Sequence, residues 1–318
     1  MKPLAITSIL CLLLFIGCSG DEDIRVERRD DKVPLYISSA LVENANERLT
    51  RAVTPVPLTS GSIGIFLEGA AGTGYAKKDN IQYNYGASNW EPNVTSETLY
   101  LGGENAYVCA YYKTPKINLS AKETVTLTSQ IFNVELDLLY AGNKTVNGTS
   151  AGKVVEFILG HAYSQLEFVL SHDNYPNPCK VTKIQIQNPK VAATTTLDIA
   201  TGQYGTPVLN SDFSYNTNGA TGIVVPASPT TIKSNVLMVP CELDNVSNTG
   251  LTLVLTVDGK PMTAKVPYAK LSALVAGTKH QITVVLKGTA IDVSVKDTPW
   301  SSVPVDGNYS PEPVAPQP

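Results

Sequence analysis

Short apolar runs recur along the whole chain, separated by Gly, Asn, Pro and Ser, and none of them sustains a helical period. Alternation with period two buries one face of a strand. It is clearest near the start, where Val33, Leu35, Ile37 and Leu41 are apolar, with Pro34, Tyr36, Ser38 and Ala40 between them. Ser39 is the one break in that face. A polar run over 43–51 follows, and then Ala52-Val53-Thr54-Pro55. The pattern predicts a first β-strand joined to the rest by an exposed loop, the kind of segment that proteases cut. With a cut at Arg51, the strand would stay only through hydrogen bonds and burial, and another strand could take its place. An ordinary edge strand with an uncut linker fits the same residues.

Further strands are predicted at 62–67, 82–86, 97–101, 105–113, 125–128 and 134–140. A glycine-rich polar stretch over 142–152 has no apolar period and reads as a domain boundary. Beyond it, strands are expected at 153–170, 180–187, 236–240, 251–257 and 260–266, with hairpins at 197–204 and 279–295. Asp258-Gly259 is a strong two-residue hairpin turn, because both positions tolerate positive φ. Many short strands punctuated by turns predict an all-β chain of antiparallel sandwiches. The tail over 303–318 carries five prolines and reads as extended or disordered rather than folded.

At the N-terminus, Lys2 precedes an apolar run over 4–16, the length of a signal-peptide core and too short to span a bilayer as a helix. Gly17-Cys18 then resembles the lipobox of bacterial lipoproteins, whose cysteine is lipidated; an ordinary secretory signal also fits. The acidic run Asp21-Glu22-Asp23 resembles a surface-export signal. With 318 residues the chain is long enough for two domains. Charged residues make up 16% and the net charge is −4, with no basic patch, which argues against nucleic acid as a partner. Beyond Cys11 and Cys18 only Cys109, Cys179 and Cys241 remain, an odd and widely spaced set that is no disulfide framework.

Chemical motifs are weak. Gly148-Thr149-Ser150-Ala151-Gly152 has the Gly-x-Ser-x-Gly spacing but lacks the strand before and helix after that a nucleophile elbow needs. His161, His172 and His280 lack ligand spacing, and no calcium or phosphate loop is present. No catalytic residue, metal site or cofactor is predicted. Tyr83, Tyr85 and Trp90 can be read as a glycan-stacking surface on a monomeric lipoprotein, or as core packing.

Several motifs follow one another in order: Gly17-Cys18, a first strand with Thr50-Arg51-Ala52 behind it, Ala106-Tyr107-Val108-Cys109-Ala110-Tyr111-Tyr112, Asp137-Leu138-Leu139-Tyr140-Ala141, Leu197-Asp198-Ile199-Ala200-Thr201-Gly202-Gln203-Tyr204, and a closing Gln281-Ile282-Thr283-Val284-Val285-Leu286 with Trp300 beyond. Over nearly the whole chain this order resembles the FimA-type, Mfa-like fimbrillins of Bacteroides-type bacteria. The resemblance implies two tandem transthyretin-like antiparallel β-sandwich domains and a fimbrial subunit or fimbria-associated adhesion protein, not an enzyme. It implies a signal peptide over 1–18 ending at lipidated Cys18, and a propeptide over 19–51 that includes the first strand, 33–42. Residues 52–147, completed by that strand, and 148–302 would be the two sandwiches. An arginine-specific protease would cut between Arg51 and Ala52 and release the plug formed by Val33, Leu35, Ile37 and Leu41. The partners implied are other fimbrial subunits, that protease, the outer membrane through the lipid, and host or bacterial surface receptors. Stalk, tip and anchor roles stay open.

Overall fold

The computed structural model describes residues 32–43, 55–112, 124–176, 178–288, 290–298 and 300. Cys18, Arg51, Ala52 and the tail from residue 301 lie outside these residues. Among the described residues there are strands and short 3-10 turns, and no α-helix. In chain order the strands are β1 (Val33–Pro34), β2 (Tyr36–Val42), β3 (Val56–Pro57), β4 (Ser62–Gly69), β5 (Lys78–Tyr85), β6 (Trp90–Pro92), β7 (Tyr100–Leu101), β8 (Ala106–Tyr112), β9 (Thr124–Thr128), β10 (Gln130–Ile131), β11 (Leu139–Val146) and β12 (Val154–His161). The chain continues with β13 (Ser164–His172), β14 (Lys180–Gln187), β15 (Ala192–Asp198), β16 (Val208–Leu209), β17 (Asp212–Asn216), β18 (Ile223–Val224), β19 (Ile232–Met238), β20 (Cys241–Glu242), β21 (Thr249–Val257), β22 (Lys260–Pro267), β23 (Ala273–Leu274), β24 (Lys279–Leu286) and β25 (Ile291–Thr298).

The first sheet runs β12-β11-β8-β4-β5-β6-β2-β3, and a further ladder between β12 and β2 closes it on itself. A closed sheet leaves no free edge at the join. Alternating residues of these strands fill the interior, among them Ile37, Ile63, Ile65, Tyr83, Val108, Tyr112 and Phe157. The polar stretch at 142–152 behaves differently from a linker. β11 extends through it to Val146, and β12, on its far side, is still part of the first sheet.

Two further sheets face each other over a second core. One is β10-β19-β13-β24-β25; the other is β17-β14-β21-β22, with β18 beside β14. Leu166, Phe168 and Leu170 of β13 meet Ile184 and Ile186 of β14 and Leu253 and Leu255 of β21 in this core. The turn at Asp258-Gly259, with φ of 48° and 77°, joins β21 to β22 as the sequence predicts. Antiparallel pairing is not universal: β2–β12 and β13–β24 are parallel ladders.

A third core sits where the closed sheet meets the facing pair. Phe66, Cys109 and Tyr111 from the first sheet pack there with Leu127 of β9, Leu197 of β15, Leu237 of β19 and Trp300. The step from β12 to β13 runs through this place by way of His161-Ala162-Tyr163-Ser164, all buried. The Ala162 N–H donates to the Leu138 carbonyl, and the Tyr204 hydroxyl to the Ala162 carbonyl, both at 2.8 Å. The Gly277 N–H donates to the Tyr163 carbonyl at 2.8 Å.

Candidate functional site: the seam at the first long strand

β2 lies between two unlike neighbours. On one side it runs parallel to β12, from Tyr36 opposite Val154 to Val42 opposite Leu159. On the other side Ile37 faces Trp90 of β6, and Leu41 and Val42 face Pro57 and Val56 of β3. Backbone bonds of 2.8 Å hold the strand at both ends: the Leu35 N–H donates to Leu99, Tyr36 to Lys153, Glu43 to Leu159, and Leu58 to Ala40.

The ladder with β12 slips once. Ile37 faces Val155, yet Ser39, not Ser38, faces Glu156. This is a bulge, an extra residue on one strand, and it is rare between parallel strands. At the slip the Ser38 hydroxyl donates to the Val155 carbonyl at 3.1 Å, and the Ser39 hydroxyl to Glu156 Oε2 at 2.7 Å. An inserted residue exchanges the two faces of everything after it. Leu35 and Ile37 are buried before the bulge, and Ala40 and Val42 after it. Leu41, expected on the inward face, is therefore half-exposed, and Val33 is a half-buried residue packed against the same core. Ser39, the break in the apolar pattern, was the signal for this change of phase.

Two of the three aromatics lie inside, and the third packs against them half-buried. Tyr83 and Trp90 are buried in the core of the closed sheet, and Tyr85 stands edge-on to Trp90 with ring centroids 5.4 Å apart. The Tyr83 hydroxyl accepts the Leu99 N–H at 3.1 Å, and burial pushes its pKa above the ordinary tyrosine value. Buried rings offer no face to a sugar, which corrects the glycan-stacking reading at Tyr83 and Trp90 and leaves Tyr85 half-buried beside them. Trp90 instead forms the wall that Ile37 meets across the seam.

The fimbrillin-like family matches residues 50–300. The chain belongs to the fimbrillin-like family. It is 24% identical over 315 residues to a Bacteroides uniformis protein named "Putative fimbrium subunit Fim1C", a match that covers 94% of this chain and 95% of that one. Two crystal structures share its fold, each with a TM-score of 0.60 over 86% of this chain. One, a "putative cell adhesion protein" of Bacteroides uniformis, is 20% identical and fully covered. The other, of the same description, from Bacteroides ovatus, is 14% identical and 99% covered.

The remaining marked residues of this fimbrillin-like chain are structural in their surroundings. Ser150 is exposed in the turn between β11 and β12, with strands on both sides and no helix. Cys109 and Cys179 are buried and Cys241 half-buried, and none of the three is joined in a disulfide. His161 Nδ1 lies 2.7 Å from Asp137 Oδ2, and His280 Nδ1 lies 2.6 Å from Asp297 Oδ1. Among the described residues no group of three or more His, Cys, Asp or Glu is placed to hold a metal ion. The His161–Asp137 pair escaped the sequence because its members are 24 residues apart, with no spacing to mark them.

Proposed function

We propose that this chain is a fimbrial subunit, or a fimbria-associated adhesion protein of the cell surface, that assembles by exchanging its first long strand. One observation carries the reading. β2 supplies buried side chains to a closed core, yet covalently it reaches the next described strand only through the polar segment 44–54. In this reading residues 1–18 are a signal peptide, Cys18 carries lipid, and the precursor is an outer-membrane lipoprotein. An arginine-specific protease cuts the Arg51–Ala52 bond, and the propeptide 19–51 leaves with the strand. Residues 52–147 are then a transthyretin-like sandwich lacking one strand, and 148–302 carry a second sandwich in tandem while lending β12 to the first.

The physics of this step is strand addition to a sheet. Unpaired backbone groups in the vacated groove cost about 1–3 kcal/mol each, which favours refilling by a strand from another subunit. The resident strand keeps that edge covered until the cut, so subunits do not pair early. Family membership and the relative named as a fimbrium subunit support the role. The partners are other fimbrial subunits and receptors on host or bacterial surfaces, without a cofactor and without catalysis.

Digestion of the delipidated precursor with an arginine-specific protease tests the proposal. A stable core beginning at Ala52 should appear, followed by ladders on an unheated denaturing gel, and N-terminal sequencing of the surface protein should read from Ala52. A cut protein that stays monomeric at high concentration refutes strand exchange.

A further inference from the structure

The arithmetic of the β2–β12 ladder contains a mismatch. β12 alternates without interruption, with Val155, Phe157, Leu159 and His161 inward. Leu35, just before β2, and Ile37, Ala40 and Val42 within it are inward, with spacings of two, three and two. The step of three is the bulge at Ser38-Ser39. Removing one residue from it brings all four inward side chains into strict alternation, in phase with β12. The resident strand is thus one residue too long for the slot it fills.

A bulge leaves its extra residue outside the ladder and bends the strand locally. Here the bend divides β2 into halves with different neighbours, since Ile37 meets β6 and Leu41 and Val42 meet β3. The two serine hydroxyls that dress the slip, on the Val155 carbonyl and on Glu156, replace ladder bonds with side-chain bonds, and the bond to Glu156 is exposed to water. Parallel pairing is itself slightly weaker per residue than antiparallel pairing.

We propose that the slot beside β12 prefers a strand other than the one it holds: a strictly alternating segment with four inward apolar residues and no inserted residue. The bulge handicaps the resident strand, so an incoming strand of regular period displaces it. This inference rests on the strand-exchange reading and adds to it the kind of partner strand that the surface selects.

Deleting Ser39 from the full-length, uncut chain tests the handicap directly. The deletion should raise the melting temperature by roughly 2–4 °C and slow amide exchange from Ala40 to Glu43. The double variant Ser38→Ala, Ser39→Ala keeps the length and loses the hydroxyls, and it should melt no higher than the native chain. A lower melting temperature, faster exchange or failure to fold on deletion of Ser39 overturns the proposal, because the slot would then require the bulge. In a second arm, the chain cut at Arg51 is mixed with labelled peptides of residues 32–43, with and without Ser39. The shorter peptide should be taken up about tenfold more, and equal uptake or preference for the native peptide overturns the proposal. If neither peptide enters, strand exchange itself fails, while the uncut-chain result still decides whether the bulge weakens the resident strand.

Discussion

The indole of Trp300 lies flat on the imidazole of His161, with ring centroids 3.9 Å apart and planes 12° from parallel. Trp300 follows β25, and His161 ends β12, so the stack ties the last described residue to the strand that closes the first sheet. Both rings are buried in the core shared by the closed sheet and the facing pair.

Trp300→Ala removes the largest side chain of that core and should cost about 3–5 kcal/mol of unfolding free energy. Urea unfolding followed by circular dichroism measures it. Amide exchange should also accelerate near Thr298, where β25 pairs with Lys279 of β24. A loss under 1 kcal/mol would show that the stack is not what fastens the end of β25.

Asp137→Ala leaves His161 without its 2.7 Å partner inside the protein. Asp137 Oδ1 and His161 Nε2 already lack hydrogen-bond partners, so the site has no spare group to take over. The expected cost is about 1–3 kcal/mol, the penalty for a buried polar atom left unpaired. Asp137→Asn, which keeps an oxygen acceptor of the same shape, should recover part of it.

The change of phase in β2 is open to a paired comparison. Ile37 is fully buried, at 0% exposure, and Ile37→Ala should destabilise the uncut chain by about 2–5 kcal/mol. Leu41 is half-exposed, and Leu41→Ala should cost well under half as much. Equal losses at the two positions would mean that Leu41 faces the core after all. Chemical unfolding of the two variants under one set of conditions decides the matter.

Alkaline pH should weaken the fold. Burial, helped by the Asp258 charge, pushes the Cys179 thiol from 9.0 up to about 11, and burial does the same to Cys241. Burial also raises Tyr111, Tyr204 and Tyr215. Each group ionises more readily in the unfolded chain than in the fold. Its stabilising contribution is therefore complete below its unfolded pKa and is lost as pH rises through the folded value. The urea midpoint should fall between pH 9 and 11, the window set by the two thiols. Replacing Cys179 and Cys241 with Ala should flatten that decline.

Strand identity was legible wherever one face is buried, because period two in the residues is period two in space. The Asp258-Gly259 hairpin and the β24–β25 pair were readable for that reason. Phase was not. Ser39 marks a break in the pattern of β2, but whether the chain bulges or tolerates a serine depends on Val155 and Glu156, more than a hundred residues away. The polar stretch at 142–152 looked like the end of a domain because exposed strand edges and linkers share a composition. Its continuation into the first sheet is fixed by the pairing of β12 with β2. The aromatic trio stayed ambiguous for the converse reason: Tyr and Trp are strand formers whether they face out or in, and only the closed sheet decides that Tyr83 and Trp90 face in. Cys18 and Arg51, the two positions of most chemical interest in the sequence, lie outside the described residues.

The passage from β12 to β13 at His161-Ala162-Tyr163-Ser164 has a mechanical consequence. A hinge needs loose backbone with room to rotate, and these residues are buried and gripped through their carbonyls and amides from several sides. Tension carried along this segment would meet those hydrogen bonds before it met any slack. Any filament strung from such bodies would therefore flex at the joints between them and transmit a tug through each body almost undiminished.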